Sequence, residues 1–105
     1  LQLITLGVDH FRYFASVIRA EESSIAELDS QTVSIALSEP LGVIAQIIPW
    51  NFPLLIVSQK PPFALAVGCT AVVKPSQLTP GTTLMLGQYC KDAGIPDGVV
   101  NIVSG

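Results

Sequence analysis

Gly42-Val43-Ile44-Ala45-Gln46-Ile47-Ile48-Pro49-Trp50-Asn51-Phe52-Pro53 is the stretch that decides the fold. Residues 42–48 form a mostly apolar run without a charge, and Pro49 closes it. Runs of this kind are strands of parallel sheets, buried on both faces because helices cover each side. Downstream, residues 54–67 read as a helix that Pro61-Pro62 must kink or split, since proline lacks the amide donor and its ring meets the preceding turn. Gly68 ends it. Thr70-Ala71-Val72-Val73 is a second short buried strand, closed by Lys74-Pro75. Thr79-Pro80 has the chemistry of a helix start, a hydroxyl cap followed by proline at the first helical position. That helix runs to Ala93 and stops at Gly94. Ile95-Pro96-Asp97-Gly98 is a turn, and Val99-Val100-Asn101-Ile102-Val103 is a third strand. The order is βαβαβ. Crossovers that contain helices require parallel strands, right-handed connections and helices packed on the sheet. The expected architecture is α/β, a partial Rossmann-like parallel sheet, half of a doubly wound nucleotide-binding fold.

Upstream of this stretch the period changes twice. Phe11, Phe14 and Ile18 recur at helical spacing with Val8 on the same side, which predicts an amphipathic helix over 6–21. Val33, Ile35 and Leu37 then alternate with Ser34, Ala36 and Ser38, the pattern of a half-exposed strand. Asp29-Ser30 is turn chemistry, so 24–28 and 32–38 are expected to form a β-hairpin. The chain thus reads as one partial domain, with a helix and hairpin in 1–39 and the half-sheet in 40–105.

The 105 residues suffice for one small domain. Half are hydrophobic, the mean hydropathy is +0.57, and only 12% are charged, against about 25% in an ordinary soluble domain. Six acids and two bases lie in residues 1–39, whereas residues 40–90 contain only Lys60 and Lys74. Small bodies expose much of their chain, so this stretch is either deeply buried or covered by something else. Composition also removes function classes. An apolar chain with a net charge of −3 is not intrinsically disordered. Five bases and a pI near 4.8 provide no footprint for nucleic acid. Two cysteines make no disulfide framework, and their neighbours lack metal-site spacing, so no metal is expected. The uncharged window 40–59 could span a bilayer by length, but Pro40, Pro49, Asn51 and Pro53 argue against it. No secretory leader pattern is visible. The expectation is a cytoplasmic protein with no membrane partner.

In open α/β sheets, ligands bind beyond the carboxyl ends of the strands. That rule selects Pro49-Trp50-Asn51-Phe52-Pro53, Lys74-Pro75-Ser76-Gln77 and Ser104-Gly105. Asn51 offers two N–H donors at the mouth of the sheet. They could stabilise an oxyanion, or Asn51 could simply cap the helix that follows. Lys74 could hold a ribose hydroxyl or a phosphate, or merely mark a strand end in water. No G-x-G-x-x-G signature occurs. Cys69 and Cys90 read as small core hydrophobes, His10 as a solvated side chain, and Lys60 as a lysine that snorkels to the surface. Phe11, Tyr13 and Phe14 read as packing.

The Pro49-Trp50-Asn51-Phe52-Pro53 motif brings in a resemblance. Together with Glu39-Pro40-Leu41-Gly42-Val43, Gln46-Ile47-Ile48, Ala64-Leu65-Ala66-Val67-Gly68-Cys69-Thr70, Val72-Val73-Lys74-Pro75-Ser76 and Gly98-Val99-Val100-Asn101-Ile102-Val103, it resembles the NAD(P)-dependent aldehyde dehydrogenases. Asp9-His10-Phe11-Arg12-Tyr13-Phe14-Ala15 also looks like the family's helix before its oligomerisation hairpin. The resemblance covers essentially the whole chain.

The resemblance implies that Asn51 is the catalytic asparagine whose amide stabilises the oxyanion formed when a thiolate attacks the aldehyde. It implies that Ile47, Ile48, Pro49 and Trp50 line the cofactor. It implies that Lys74 bonds the adenosine ribose, with Ser76 and Gln77 in the same cofactor-binding segment. NAD-preferring members usually carry glutamate where Gln77 stands. A neutral amide repels a 2′-phosphate less, so NAD is expected with NADP left open. The implied reaction is oxidation of a small-molecule aldehyde to a carboxylic acid by a homo-oligomer. The family's nucleophilic cysteine and general-base glutamate fall downstream of Gly105, and Cys69 does not match the nucleophile. Without a thiolate no covalent adduct forms, so the isolated chain is expected to be inactive. The alternative is a short non-catalytic protein that binds nucleotide or another subunit.

Overall fold

The computed structural model describes residues 2–105. Helix α1 (Gln2–Val17) is followed by a single 3-10 turn, Ile18–Ala20. It begins earlier than the expected residue 6 and tightens before residue 21. Its inward stripe is also rotated from the expected one. Gly7 is buried and His10, Phe11 and Phe14 are half-buried, whereas Val8 and Ile18 are exposed. The cause is the docking partner, α2 (Pro53–Ala66). A Cβ on Gly7 would stand 3.0 Å from Ser58 Oγ, so the absence of a side chain lets the helices meet there. Phe14 meets Phe63 edge-to-face at 5.5 Å.

Strands β1 (Ser24–Asp29) and β2 (Thr32–Ala36) pair antiparallel across the two-residue turn Ser30-Gln31, with an irregularity between Glu27 and Asp29. The Gln31 amide donates to Asp29 Oδ1 at 2.8 Å, the side-chain turn that Asp favours. The alternation in β2 predicted one covered face. Instead every residue of both strands is exposed, because neither face has an element lying over it.

The second sheet contains β3 (Val43–Ile48), β4 (Thr70–Pro75) and β5 (Val100–Ile102), in that spatial order and all parallel. Helices α2 and α3 (Gly81–Asp92) form the crossovers, so the βαβαβ order expected from the sequence is present. Ile48, Val57, Ala71 and Val73 form the core, with Ile56, Leu86 and Ile102 packed against it. Residues from both crossover helices meet this one face. The opposite face is open among the described residues: Val43 is 70% exposed and Ile47 71%. The expected burial on both faces is found on one only, since the other has no layer over it among the described residues.

Of the kink or split expected at Pro61 and Pro62, the split does not occur: helix α2 continues through both. Both prolines are buried, and packing of their rings outweighs the backbone bonds they forgo. Both crossover helices end in the same way. Gly68 (φ 79°) and Gly94 (φ 86°) are left-handed. Gly68 N–H donates to Leu65 O and Cys69 N–H to Ala64 O; Gly94 N–H donates to Lys91 O and Ile95 N–H to Cys90 O, all at 3.0 Å. This pair of bonds is the Schellman termination, and it needs a residue without a Cβ penalty at positive φ. The start of α3 differs from expectation. Pro80 occupies the cap position and its carbonyl accepts from Leu84 N–H at 3.1 Å. Thr79 lies one residue outside, does not cap, and keeps a buried hydroxyl without a partner.

Candidate functional site

All three parallel strands end at the same edge of the sheet, and the segment after β3 is the most constrained. Pro53 opens α2, and a residue before proline is disfavoured in the right-handed helical region. Phe52 adopts φ 50°, ψ 47° and is the one non-glycine residue with positive φ among the described residues. Such a conformation costs on the order of 1–3 kcal/mol and persists only where its surroundings enforce it. The Phe52 carbonyl accepts from Ile56 N–H at 3.0 Å and so starts the helix. The cap position therefore belongs to Phe52, and no side-chain cap bond is made. Asn51 does not cap α2. Its amide is exposed and has no hydrogen-bond partner among the described residues.

Of the neighbouring positions, Trp50 is exposed and Pro49 half-buried. Ile48 is 1% exposed, so only its backbone is available at the edge. Ile47 lies on the open face, directly beside Lys74 in the parallel register. Lys74 Nζ donates to the Gly105 carbonyl at 2.7 Å. The structure thus joins Ile47, Lys74 and the segment after β5 on one surface. Ser76 is half-buried, and its hydroxyl accepts from Leu78 N–H at 3.3 Å, a local turn bond. Gln77 is exposed, and its amide has no partner among the described residues. No carboxylate side chain occurs in 49–53 or 74–77, and Lys74 is the one charged residue of these two segments.

Two residues escaped the sequence reading. Gln46 is 7% exposed. Its Nε2 donates to the Lys60 carbonyl at 2.8 Å, and Lys60 Nζ donates to the Ile47 carbonyl at 2.6 Å. Lys60 is exposed, as expected, but its ammonium is engaged. The available signal was Gln46 itself: a single amide on the same side of the run as Ile44 and Ile48 must find a buried partner. His10 was expected to be solvated. It is half-buried against α2, with Nε2 3.4 Å from Gln59 Nε2 and Nδ1 buried without a partner. Cys69 and Cys90 are free and buried, and burial pushes the Cys90 thiol up.

An apolar cavity of about 490 Å³, lined in part by Ile18, Leu41, Ile44, Phe63 and Cys69, lies at the amino ends of β3 and β4. It is at the wrong end of the sheet for the site above. No described helix is long and apolar enough to cross a membrane. No group of three potential metal ligands occurs among the described residues.

Comparison with known proteins follows the same lines. The profile of the Aldehyde dehydrogenase family matches residues 2–105. Aldehyde dehydrogenase B of Escherichia coli is 55% identical over 102 residues, which are 97% of this chain and 20% of that protein. Fluoroacetaldehyde dehydrogenase of Streptantibioticus cattleyicolor is 52% identical over the same shares. The crystal structure of the NAD-dependent aldehyde dehydrogenase from Sinorhizobium meliloti superimposes with a TM-score of 0.94 at 41% identity, over 99% of this chain and 21% of that one. The NAD+ complex of the Bacillus cereus enzyme gives a TM-score of 0.92 at 41% identity, over 97% and 21%. The chain spans about a fifth of the length of the curated relatives it matches. On these grounds the chain belongs to the aldehyde dehydrogenase family.

Proposed function

We propose that this chain supplies the oxyanion donor and the ribose-side cofactor contacts of an enzyme that oxidises an aldehyde to a carboxylic acid with NAD(P)+. The observation that carries the reading is the free Asn51 amide, held just past β3 by a strained Phe52. A donor that satisfies nothing in its own fold is available to charge that develops on a substrate oxygen. Fixed donors of this kind stabilise the transition state without reorganising.

The edge suits a dinucleotide. It presents a cation, Lys74, with the apolar faces of Ile47 and Trp50, and no carboxylate opposes a pyrophosphate. A nicotinamide dinucleotide held there would supply the hydride acceptor. Lys74 would hold ribose hydroxyls, with Gln77 beside them. Backbone groups of Ile47, Ile48 and Pro49 and the ring of Trp50 would line the cofactor. The Ser76 hydroxyl already serves a turn, so its part in this proposal is to shape the segment. NAD is the preferred cofactor, and the neutral Gln77 leaves NADP accessible. Residues 40–105 then form the first half of a dinucleotide-binding domain. Residues 1–39 carry a hairpin uncovered on both faces, suited to pairing subunits of a homo-oligomer.

The test is a reduced-nicotinamide absorbance assay on the full-length enzyme containing this segment, supplied with short aldehydes and NAD+. Turnover is expected from that enzyme and none from the isolated 105 residues. Absence of turnover from the full-length enzyme overturns the reading.

A further inference from the structure

The apolar cavity at the amino ends of β3 and β4 takes no part in the site above. Three segments converge on it: the 3-10 turn after α1, the link from β2 to β3, and the last turns of α2. Its floor is closed, with Ala64 2% and Cys69 3% exposed, whereas its walls are bare, with Leu41 89% and Phe63 59% exposed. The fold holds these walls in place. Phe63 rests edge-to-face on Phe14. A Cβ on Gly68 would stand 3.0 Å from Pro40 Cγ, so the link lies directly on the end of α2. Thr70 N–H then fixes the start of β3 by donating to Gly42 O at 2.9 Å. A volume of about 490 Å³ has room for many waters, at about 30 Å³ each, but these walls offer them few partners. Bare apolar surface of this kind marks a contact.

The charged groups say what fits. Glu21 and Glu39 line the cavity and both are exposed. Glu21 Oε1 accepts from Ser38 Oγ at 3.1 Å, and Glu39 has no partner among the described residues. No lysine, arginine or histidine lines the cavity. Its complement is an apolar segment with a base beside it. Two facts indicate where that segment comes from. No residue of β1 or β2, the hairpin proposed above to pair subunits, lines the cavity. The chain spans about a fifth of the length of its curated relatives, and a segment of the same polypeptide docks without the entropy cost of association. We propose that the cavity is a socket for a segment of the same enzyme polypeptide from outside residues 1–105. That segment buries apolar side chains against Leu41 and Phe63 and sets a lysine or arginine beside Glu21 and Glu39. The proposal rests on the family membership and not on the catalytic reading.

The experiment replaces Leu41 and, separately, Val67 by the photoreactive benzoylphenylalanine in the full-length enzyme. Both positions line the cavity and are exposed, so a larger ring fits without unfolding the core. After photolysis, the expected product is monomer-sized in denaturing electrophoresis. Peptide mass spectrometry should place the cross-link on an apolar residue outside residues 1–105, with a lysine or arginine beside it. A dimer-sized product overturns the proposal in favour of a neighbouring subunit. A cross-link confined to residues 1–105, or none at either position, overturns it outright. The Glu21→Lys/Glu39→Lys double variant tests the charge. Its Tm should fall by about 4 °C or more with oligomeric size unchanged, and Glu21→Gln/Glu39→Gln should fall less. An unchanged Tm in the lysine variant overturns the basic partner, since surface substitutions away from such a contact usually matter little.

Discussion

Asn51 and Gln77 suit the proposed roles because neither side-chain amide has a hydrogen-bond partner among the described residues. For Asn51→Ala in the full-length enzyme, the expected loss in kcat is about a hundred- to thousandfold, the scale of removing one oxyanion donor. Tm should hardly change, since the exposed side chain makes no hydrogen bond among the described residues; steady-state kinetics and a melting curve on one preparation check both. Gln77→Glu adds a charge where a 2′-phosphate would sit. Unit charges about 4 Å apart repel by about 1 kcal/mol even in a water-like medium and by more near a protein surface. Affinity for NADP should therefore fall at least about fivefold relative to NAD, read by nucleotide titration. Asn51 stood out as a candidate because it follows a strand end between two prolines, whereas the role proposed for it came from the family resemblance. Its freedom from capping was not legible in the sequence, because that depends on the backbone angle of Phe52. Gln46 and Lys60 were illegible as a pair because they are fourteen residues apart and meet only once α2 has folded back on β3.

The elements differ in how local their causes are. Glycine and proline punctuate the βαβαβ segment at each end, so its order could be read directly. Its open face could not, because an apolar run has the same sequence whether one side or both are covered. The α1–α2 contact is similarly non-local and turns on Gly7. Alanine there gains helix propensity of about 1 kcal/mol but brings a Cβ to 3.0 Å from Ser58 Oγ. Gly7→Leu cannot be accommodated without parting the helices and should destabilise by about 1–3 kcal/mol or more, measured by denaturant unfolding of the full-length enzyme. The hairpin turn responds to pH instead. The Gln31 backbone amide, then the Thr32 side chain, hold the Asp29 carboxyl below its ordinary value. A depressed carboxyl contributes above its unfolded pKa and loses that contribution as pH falls through the folded one. Protection of the Gln31 amide from exchange, corrected for the intrinsic pH dependence, should thus hold at neutral pH and decline below pH about 4. Asp29→Asn should remove that pH dependence.

At the scale of the whole molecule, the sparse charge of residues 40–90 meets an unusually open surface. The accessible area is 7412 Å², whereas a compact monomer of this mass exposes about 5,700 Å². The radius of gyration is 17.0 Å, against about 13 Å for a compact domain of this length. Both departures have visible sources, a hairpin exposed on both faces and a parallel sheet covered on one. Val43 and Ile47 on the open sheet face and Ile25, Val33 and Ile35 on the hairpin are exposed together with the outer edges of β3 and β5. Unpaired strand edges beside apolar surface promote association. Expressed alone, the 105 residues should therefore pellet or elute as large assemblies in size-exclusion chromatography at micromolar concentration. The full-length enzyme should give a discrete oligomer, because further layers and subunits would cover these surfaces. X-ray scattering on the soluble fraction provides the decisive number. A monodisperse monomer with a radius of gyration near 17 Å would show that the open face tolerates water, and burial would no longer explain why residues 40–90 carry so little charge.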